Sequence, residues 1–205
     1  MVKMLVIGDG GHSKVIRMMI DKSSNRNLSV IADDIFKSCF NEKQVTYLPL
    51  NRIDFNKQKY EESIIAIGNN HIRKKISQRF YNLDYATLID NSSIIASDAM
   101  IEEGTVIMPG VVINPSVEIG KQTIINSSAI IEHDCKIGDF CHISPGAVLA
   151  GGVTIENLVH VGANATILQG LHISEGAIIG AGAVVTKNVK KNQIMIGIPA
   201  KELKK

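Results

Sequence analysis

From Ile89 to Val185, every sixth residue of this 205-residue chain is Ile, Leu or Val, without a slip. If roughly a third of positions are aliphatic, chance gives such a run less than about once in millions of trials. A period of six fits neither the helical repeat nor the two-residue alternation of long strands. It suits short strands joined by tight corners in a parallel β-helix. Four residues after each aliphatic from Ile101 onward comes a mostly small side chain, such as Thr105, Ala129, Cys135, Cys141 and Ala147, with Leu171 the largest. Both classes are expected to face one narrow interior. Gly104, Gly110, Gly120, Gly138, Gly162, Asn126 and Asn164 recur near the corners, where positive φ is expected.

Composition changes where this period begins. Eight of the nine aromatics lie at or before Tyr85, and 13 of the 17 glycines lie after Leu88, so the periodic part builds its core almost without rings. Up to Leu88 there are 14 basic and 9 acidic residues; beyond it there are 8 and 11. The expected division is an α/β domain over 1–84 and a β-helix with a C-terminal cap over 85–205.

The first part reads as a strand over Met4–Ile7, a turn Gly8-Asp9-Gly10-Gly11-His12 and an amphipathic helix to about Lys22. A strand at Val30–Ala32 ends in Asp33-Asp34. Another over Ser63–Ile67 ends in Gly68-Asn69-Asn70, before a helical stretch from Ile72 to Tyr81. This is the pattern of a small Rossmann-like open sheet. The third glycine of the dinucleotide fingerprint is replaced by Ser13, which disfavours NAD. Three loops nevertheless end at one sheet edge and suggest a nucleotide-sized pocket. The run Arg73-Lys74-Lys75 reads as a solvated helical face with no assigned role.

A formal charge of +2 is too balanced to hold the chain on nucleic acid or an anionic membrane. No stretch has the apolar length of a membrane span, and the N-terminus lacks a secretory signal. Cys39, Cys135 and Cys141 form neither a disulfide framework nor a zinc motif. The expectation is a soluble, cytoplasmic protein. Cys135 and Cys141 fall at the small inward position and are read as buried rather than nucleophilic.

The six-residue period resembles the hexapeptide-repeat acyltransferases, whose β-helix is left-handed with 18 residues per coil. Within them, the chain is similar to the nucleotide 4-amino-sugar N-acetyltransferases, a group that includes sialic acid O-acetyltransferase relatives. The resemblance rests on Gly10-Gly11-His12, Asp33-Asp34, the segment from Gly68 to Ile76, and Glu132-His133-Asp134, and it spans residues 5–201. It implies that Gly10, Gly11, His12, Asp33, Asp34 and Gly68 hold a nucleotide-sugar.

His133 follows the inward Ile131 by two residues and is expected to project from the wall, where a histidine suits proton transfer at neutral pH. Asp134 is placed to orient it, as the matching acidic residue does in the family. The same resemblance implies that His142 contacts the acetyl-CoA carbonyl region, that Gly151 N–H is an oxyanion donor, and that Ala163 and Ala181 lie along the pantetheine arm. His142 lies half a coil from His133, so a site using both requires neighbouring subunits, the homotrimer the resemblance implies. His160 and His172 are read as surface residues, and no metal site is expected.

The leading reading is acetyl transfer from acetyl-CoA to the 4-amino group of a nucleotide-linked 4-amino-4,6-dideoxy-sugar, with a UDP-sugar favoured. An O-acetyltransferase of sialic acid or a related free sugar, and a non-catalytic sugar-binding scaffold, are the alternatives. In the leading reading neither nucleic acid nor a membrane is a partner.

Overall fold

Four consecutive fully buried residues, Met4–Ile7, mark an inner strand of the N-terminal unit in a computed structural model describing residues 1–54 and 59–203. A continuous apolar run of this kind belongs to a parallel strand covered on both faces. It lies in β1 (Val2–Ile7) and is flanked by β2 (Arg26–Ala32) and, later in the chain, Glu62–Ile65. Between these come two strands absent from the sequence expectation, β3 (Phe40–Glu42) and β4 (Val45–Leu48), so that Glu62–Ile65 is β5. The sheet order is β3-β4-β2-β1-β5, with only the β3–β4 pair antiparallel. That hairpin escaped notice because its turn has no Asn-Gly or Asp-Gly pair; Lys43 itself takes a φ of 47°. Helix α1 (Gly11–Asp21) buries Ile16, Met19 and Ile20. Helix α2 (Asn70–Arg79) begins two residues before the expected start, because the Asn69 side chain caps it by accepting from Ile72 N–H at 3.0 Å.

The second unit, Thr87–Lys205, is a parallel β-helix, following a first unit of Met1–Ala86. Up to Val185 its strands are two residues long and pair 18 residues apart, as Ile113 with Ile131 and Ile131 with Leu149. They stack on three faces. The first carries Val106–Ile107, Ile124–Ile125, His142–Ile143, His160–Val161 and Ile178–Ile179; the second carries Ile94–Ile95, Val112–Ile113, Ile130–Ile131, Val148–Leu149, Thr166–Ile167 and Val184–Val185. The third runs from Met100–Ile101 through Lys136–Ile137 to His172–Ile173, and Ile194–Ile196 and Lys201–Glu202 extend the first face as a cap.

The aliphatic and small columns share the interior. Ile107, Ile113, Ile131, Ala129, Cys135 and Ala147 are essentially inaccessible, whereas Ile89, at the first coil, is 46% exposed. Buried hydroxyls in the small column satisfy neighbouring backbone: Thr123 Oγ1 donates to Gly138 O at 2.9 Å and accepts from Cys141 N–H at 3.0 Å.

The corners correct one expectation. Every sixth residue from Gly104 to Gly182 has positive φ, and this series includes Gly104, Gly110 and Asn164 but not Gly120, Gly138, Gly162 or Asn126. The three excluded glycines are needed because successive coils approach closely. A Cβ on Gly162 would lie 2.5 Å from Ala181 N, and one on Gly138 would lie 2.9 Å from Asn157 N. Among the described residues, no helix is long and apolar enough to cross a membrane.

Candidate active site

In the N-terminal unit the ends of β1, β2 and β5 are level. Gly8 N–H donates to Ala32 O at 2.8 Å, and Ala66 N–H donates to Ile7 O at 2.7 Å. Gly8 has φ +108°, and a Cβ there would collide with Ile67 Cγ1 at 2.8 Å, so this glycine serves the fold. Gly10 and Gly11 differ, since a Cβ on either meets nothing within 4 Å. They open the N-terminus of α1, which has no side-chain cap and no acidic residue in its first turn, an arrangement suited to an anion. The buried Ser13 hydroxyl in that turn has no hydrogen-bond partner among the described residues.

Asp33 and Asp34 are adjacent but differently employed. The Asp33 carboxylate accepts Asp9 N–H at 2.7 Å and Ile35 N–H at 3.0 Å, which ties two loops together, while Asp34 is exposed. Burial, reinforced by the Arg73 guanidinium, pushes His12 down to about 4, so its imidazole is neutral at physiological pH.

Arg73 overturns the reading of a solvated run. Its side chain is buried, donating to Ile67 O at 2.9 Å, Gly68 O at 3.2 Å and Asn70 Oδ1 at 2.9 Å. The loop before α2 turns its carbonyls inward, and a guanidinium has enough donors to satisfy them together. Sequence pattern alone gave no such signal, because the neighbouring Lys75 is exposed.

The β-helix places the second group of residues. His133 and Asp134 stand outward at the corner between the second and third faces, both about two-thirds exposed, and His133 Nδ1 donates to Asp134 Oδ2 at 2.7 Å. This bond raises the histidine above its usual range, with the Asp134 and Glu132 charges adding to it. It also leaves the Nε2 lone pair to accept a proton. Gly151 lies one coil further on, and a Cβ there would stand 2.7 Å from both Cε1 and Nε2 of His133. The missing side chain is therefore the seat of the imidazole.

Gly151, Ala163 and Ala181 all occupy the corner position that holds Pro115 and Pro145 in other coils. Since proline has no N–H, the backbone ladder between coils does not depend on a donor there, and among the described residues these three N–H groups donate no hydrogen bond. Gly151 shares its corner with His133, whereas Ala163 and Ala181 lie at the corner between the first and second faces.

His142 belongs to the first face. Asn126 Oδ1 accepts Ser127 N–H at 2.8 Å, which turns Asn126 Nδ2 toward His142 Nε2 at 3.0 Å and puts the neutral ring's proton on Nδ1. Asn126, taken from sequence only as a turn residue, thus orients His142. His160 packs edge-on against His142 with ring centroids 5.0 Å apart, and His172 pairs with Glu156 at 2.7 Å. Cys135 and Cys141 are buried, and burial pushes the Cys135 thiol up, which disfavours a thiolate nucleophile. Among the described residues there is no group of three or more His, Cys, Asp or Glu side chains able to hold a metal ion.

Comparison with known proteins follows the two units. The PglD N-terminal domain family matches residues 3–80, and the bacterial transferase hexapeptide family matches 98–133, 116–151 and 134–169, whose repeats fit the left-handed form of the β-helix. UDP-N-acetylbacillosamine N-acetyltransferase of Bacillus subtilis (strain 168) is 36% identical over 98 residues, which is 46% of this chain and only 45% of that relative. A histidine-to-alanine variant of GDP-perosamine N-acetyltransferase from Caulobacter crescentus, solved with CoA and GDP-perosamine, aligns over 99% of this chain and 97% of its own, with TM-score 0.91 and 28% identity. The acetyltransferase domain of PglB from Neisseria gonorrhoeae FA1090, with acetyl coenzyme A, covers 98% of each chain at TM-score 0.86 and 29% identity.

Proposed function

We propose that this chain is a member of the nucleotide-sugar N-acetyltransferase group of hexapeptide-repeat proteins and that it acetylates the 4-amino group of a nucleotide-linked 4-amino-4,6-dideoxy-sugar using acetyl-CoA. The observation carrying this reading is the hydrogen bond from His133 Nδ1 to Asp134, which turns the ring's Nε2 toward side-chain-less Gly151. The amine nitrogen attacks the thioester carbonyl carbon, the C–N bond forms, and the amine proton passes to His133 Nε2. Gly151 N–H receives the oxyanion that develops on attack, and as that oxyanion collapses and the C–S bond breaks, the proton goes on to the departing sulfur.

In the N-terminal unit, Gly10, Gly11 and the open start of α1 receive the diphosphate, with His12 as a neutral partner and Asp34 and Gly68 lining the nucleotide. Asp33 acts by fixing the loops. His142 stands beside the thioester, and Ala163 and Ala181 offer backbone groups to the pantetheine arm. A UDP-sugar is favoured by the likeness to the Bacillus subtilis relative.

The working assembly is a homotrimer in the cytoplasm, where acetyl-CoA is available. The outward residues of the second face, Ile94, Val112, Ile130, Val148 and Val184, interrupted by Thr166, form a largely apolar ladder suited to a subunit interface.

Turnover measured with acetyl-CoA against UDP-, dTDP- and GDP-linked 4-amino-sugars and against free sialic acid tests the reading. Acetylation of a nucleotide-linked amine, with none of sialic acid, is expected. Acetylation of sialic acid alone would establish the O-acetyltransferase, and absence of acetyl-CoA binding would leave the scaffold.

A further inference from the structure

We infer that Glu132 selects an amine over a hydroxyl as acetyl acceptor, by receiving the acceptor's protonated form at the corner beside His133; this rests on the acetyltransferase reading above. Glu132 is anchored on two sides. Its N–H donates to Leu149 O at 3.0 Å in the next coil, and its Oε2 accepts from Asn114 Nδ2 at 2.9 Å in the preceding one. Among the described residues, Oε1 accepts no hydrogen bond.

The next coil carries Ala150 and Gly151 at the positions of Glu132 and His133, so no long side chain stands over the carboxylate from that coil. The Glu132 charge acts on the His133 ring, raising its proton affinity behind the larger effect of Asp134. A cation in front of His133 therefore feels both carboxylates, of which Asp134 is committed to Nδ1.

A sugar amine is partly an ammonium ion near neutral pH, whereas a sugar hydroxyl never carries positive charge. A charge-assisted hydrogen bond to a fixed carboxylate thus favours the amine when both acceptors present the same remaining sugar and nucleotide. The ammonium loses its extra proton to water before attack. The N–H proton released as the C–N bond forms goes to His133 Nε2 and then to the CoA sulfur, so Glu132 binds without entering the proton balance.

Glu132→Gln keeps the side-chain size and still accepts from Asn114. KM and kcat for the amino-sugar, for its 4-hydroxy analogue and for acetyl-CoA would be compared with wild type at neutral pH, alongside the melting temperature. The expected result is an amine KM raised about 10-fold or more, the amine-to-hydroxyl ratio of kcat/KM reduced by the same factor, and an unchanged acetyl-CoA KM. Asn114→Leu, which releases Glu132, should lose selectivity in the same direction but less. An unchanged ratio in a folded Glu132→Gln variant, or equal losses on both acceptors, overturns the proposal while wild-type turnover preserves the acetyltransferase reading. Wild type inactive on every amino-sugar overturns both.

Discussion

Asp134 bears two constraints at once. Its φ of +61° is left-handed, a conformation that costs most non-glycine residues about 1–2 kcal/mol and that Asp and Asn tolerate better. The same position one coil later is Gly152, so the corner itself does not call for a carboxylate. What calls for it is the His133 Nδ1 proton. Asp134→Asn separates the two constraints, because asparagine tolerates the backbone but brings no charge. The base must be neutral to accept a proton, and Asp134 raises its pKa, so the acidic limb of the wild-type pH–rate profile should lie above the ordinary 6.5. In Asp134→Asn the limb should move to lower pH and the plateau should fall about 10-fold or more, since a weaker, less oriented base transfers protons less well. A kcat/KM profile superimposable on wild type would remove Asp134 from the reaction. His133 itself was legible from register, two residues past an inward isoleucine, but its seat was not. Gly151 becomes its neighbour only when the 18-residue coil is closed, and Asn126 and Arg73 act on partners that no local pattern specifies.

Glycine has two separate uses in the solenoid, and they fix different costs. At Gly170 the backbone is left-handed, with φ +68°, and an added Cβ meets nothing within 4 Å. Gly170→Ala should therefore cost only the conformational term, about 1 kcal/mol. Gly138 has no positive φ, but its Cβ would stand 2.4 Å from Asn157 Oδ1 and 3.0 Å from Glu156 C. Relief requires prying two coils apart, because part of the obstacle is backbone. It also disturbs the 2.7 Å bond from Asp139 N–H to Asn157 Oδ1. Gly138→Ala should thus cost about 2–3 kcal/mol by overpacking. Thermal denaturation of the two variants checks the order; equal shifts in melting temperature would deny the distinction. The sequence made the coil legible because the six-residue period is dictated by an interior closed on every coil. The division of labour among its glycines was illegible, since close approach and left-handed φ both demand glycine. In the N-terminal unit the buried strands and glycine turn announced themselves, while the β3–β4 hairpin had only short apolar runs to mark it.

Across the whole molecule, the coil geometry distributes the proposed transfer machinery in a way one chain does not reunite by sequence order. His133, Asp134 and Gly151 stand at one edge of the second face, whereas Ala163 and Ala181 stand at its other edge and His142 on the first face. Cyclic association of three chains would place one chain's His133 corner against its neighbour's His142 face and give three equivalent sites. The prediction is a complementation with a fixed yield. His133→Ala and His142→Ala homotrimers should each be inactive, since every site lacks one histidine. When the two are unfolded together, mixed equally and refolded, each mixed trimer contains one junction at which an intact His133 meets an intact His142. Random assembly makes about three-quarters of trimers mixed, with one restored site in three, so about one quarter of wild-type activity should return. Sedimentation should show a single trimeric species throughout. Recovery near zero from demonstrably mixed trimers would confine each site to one chain, and an active monomer would dispose of the shared site altogether.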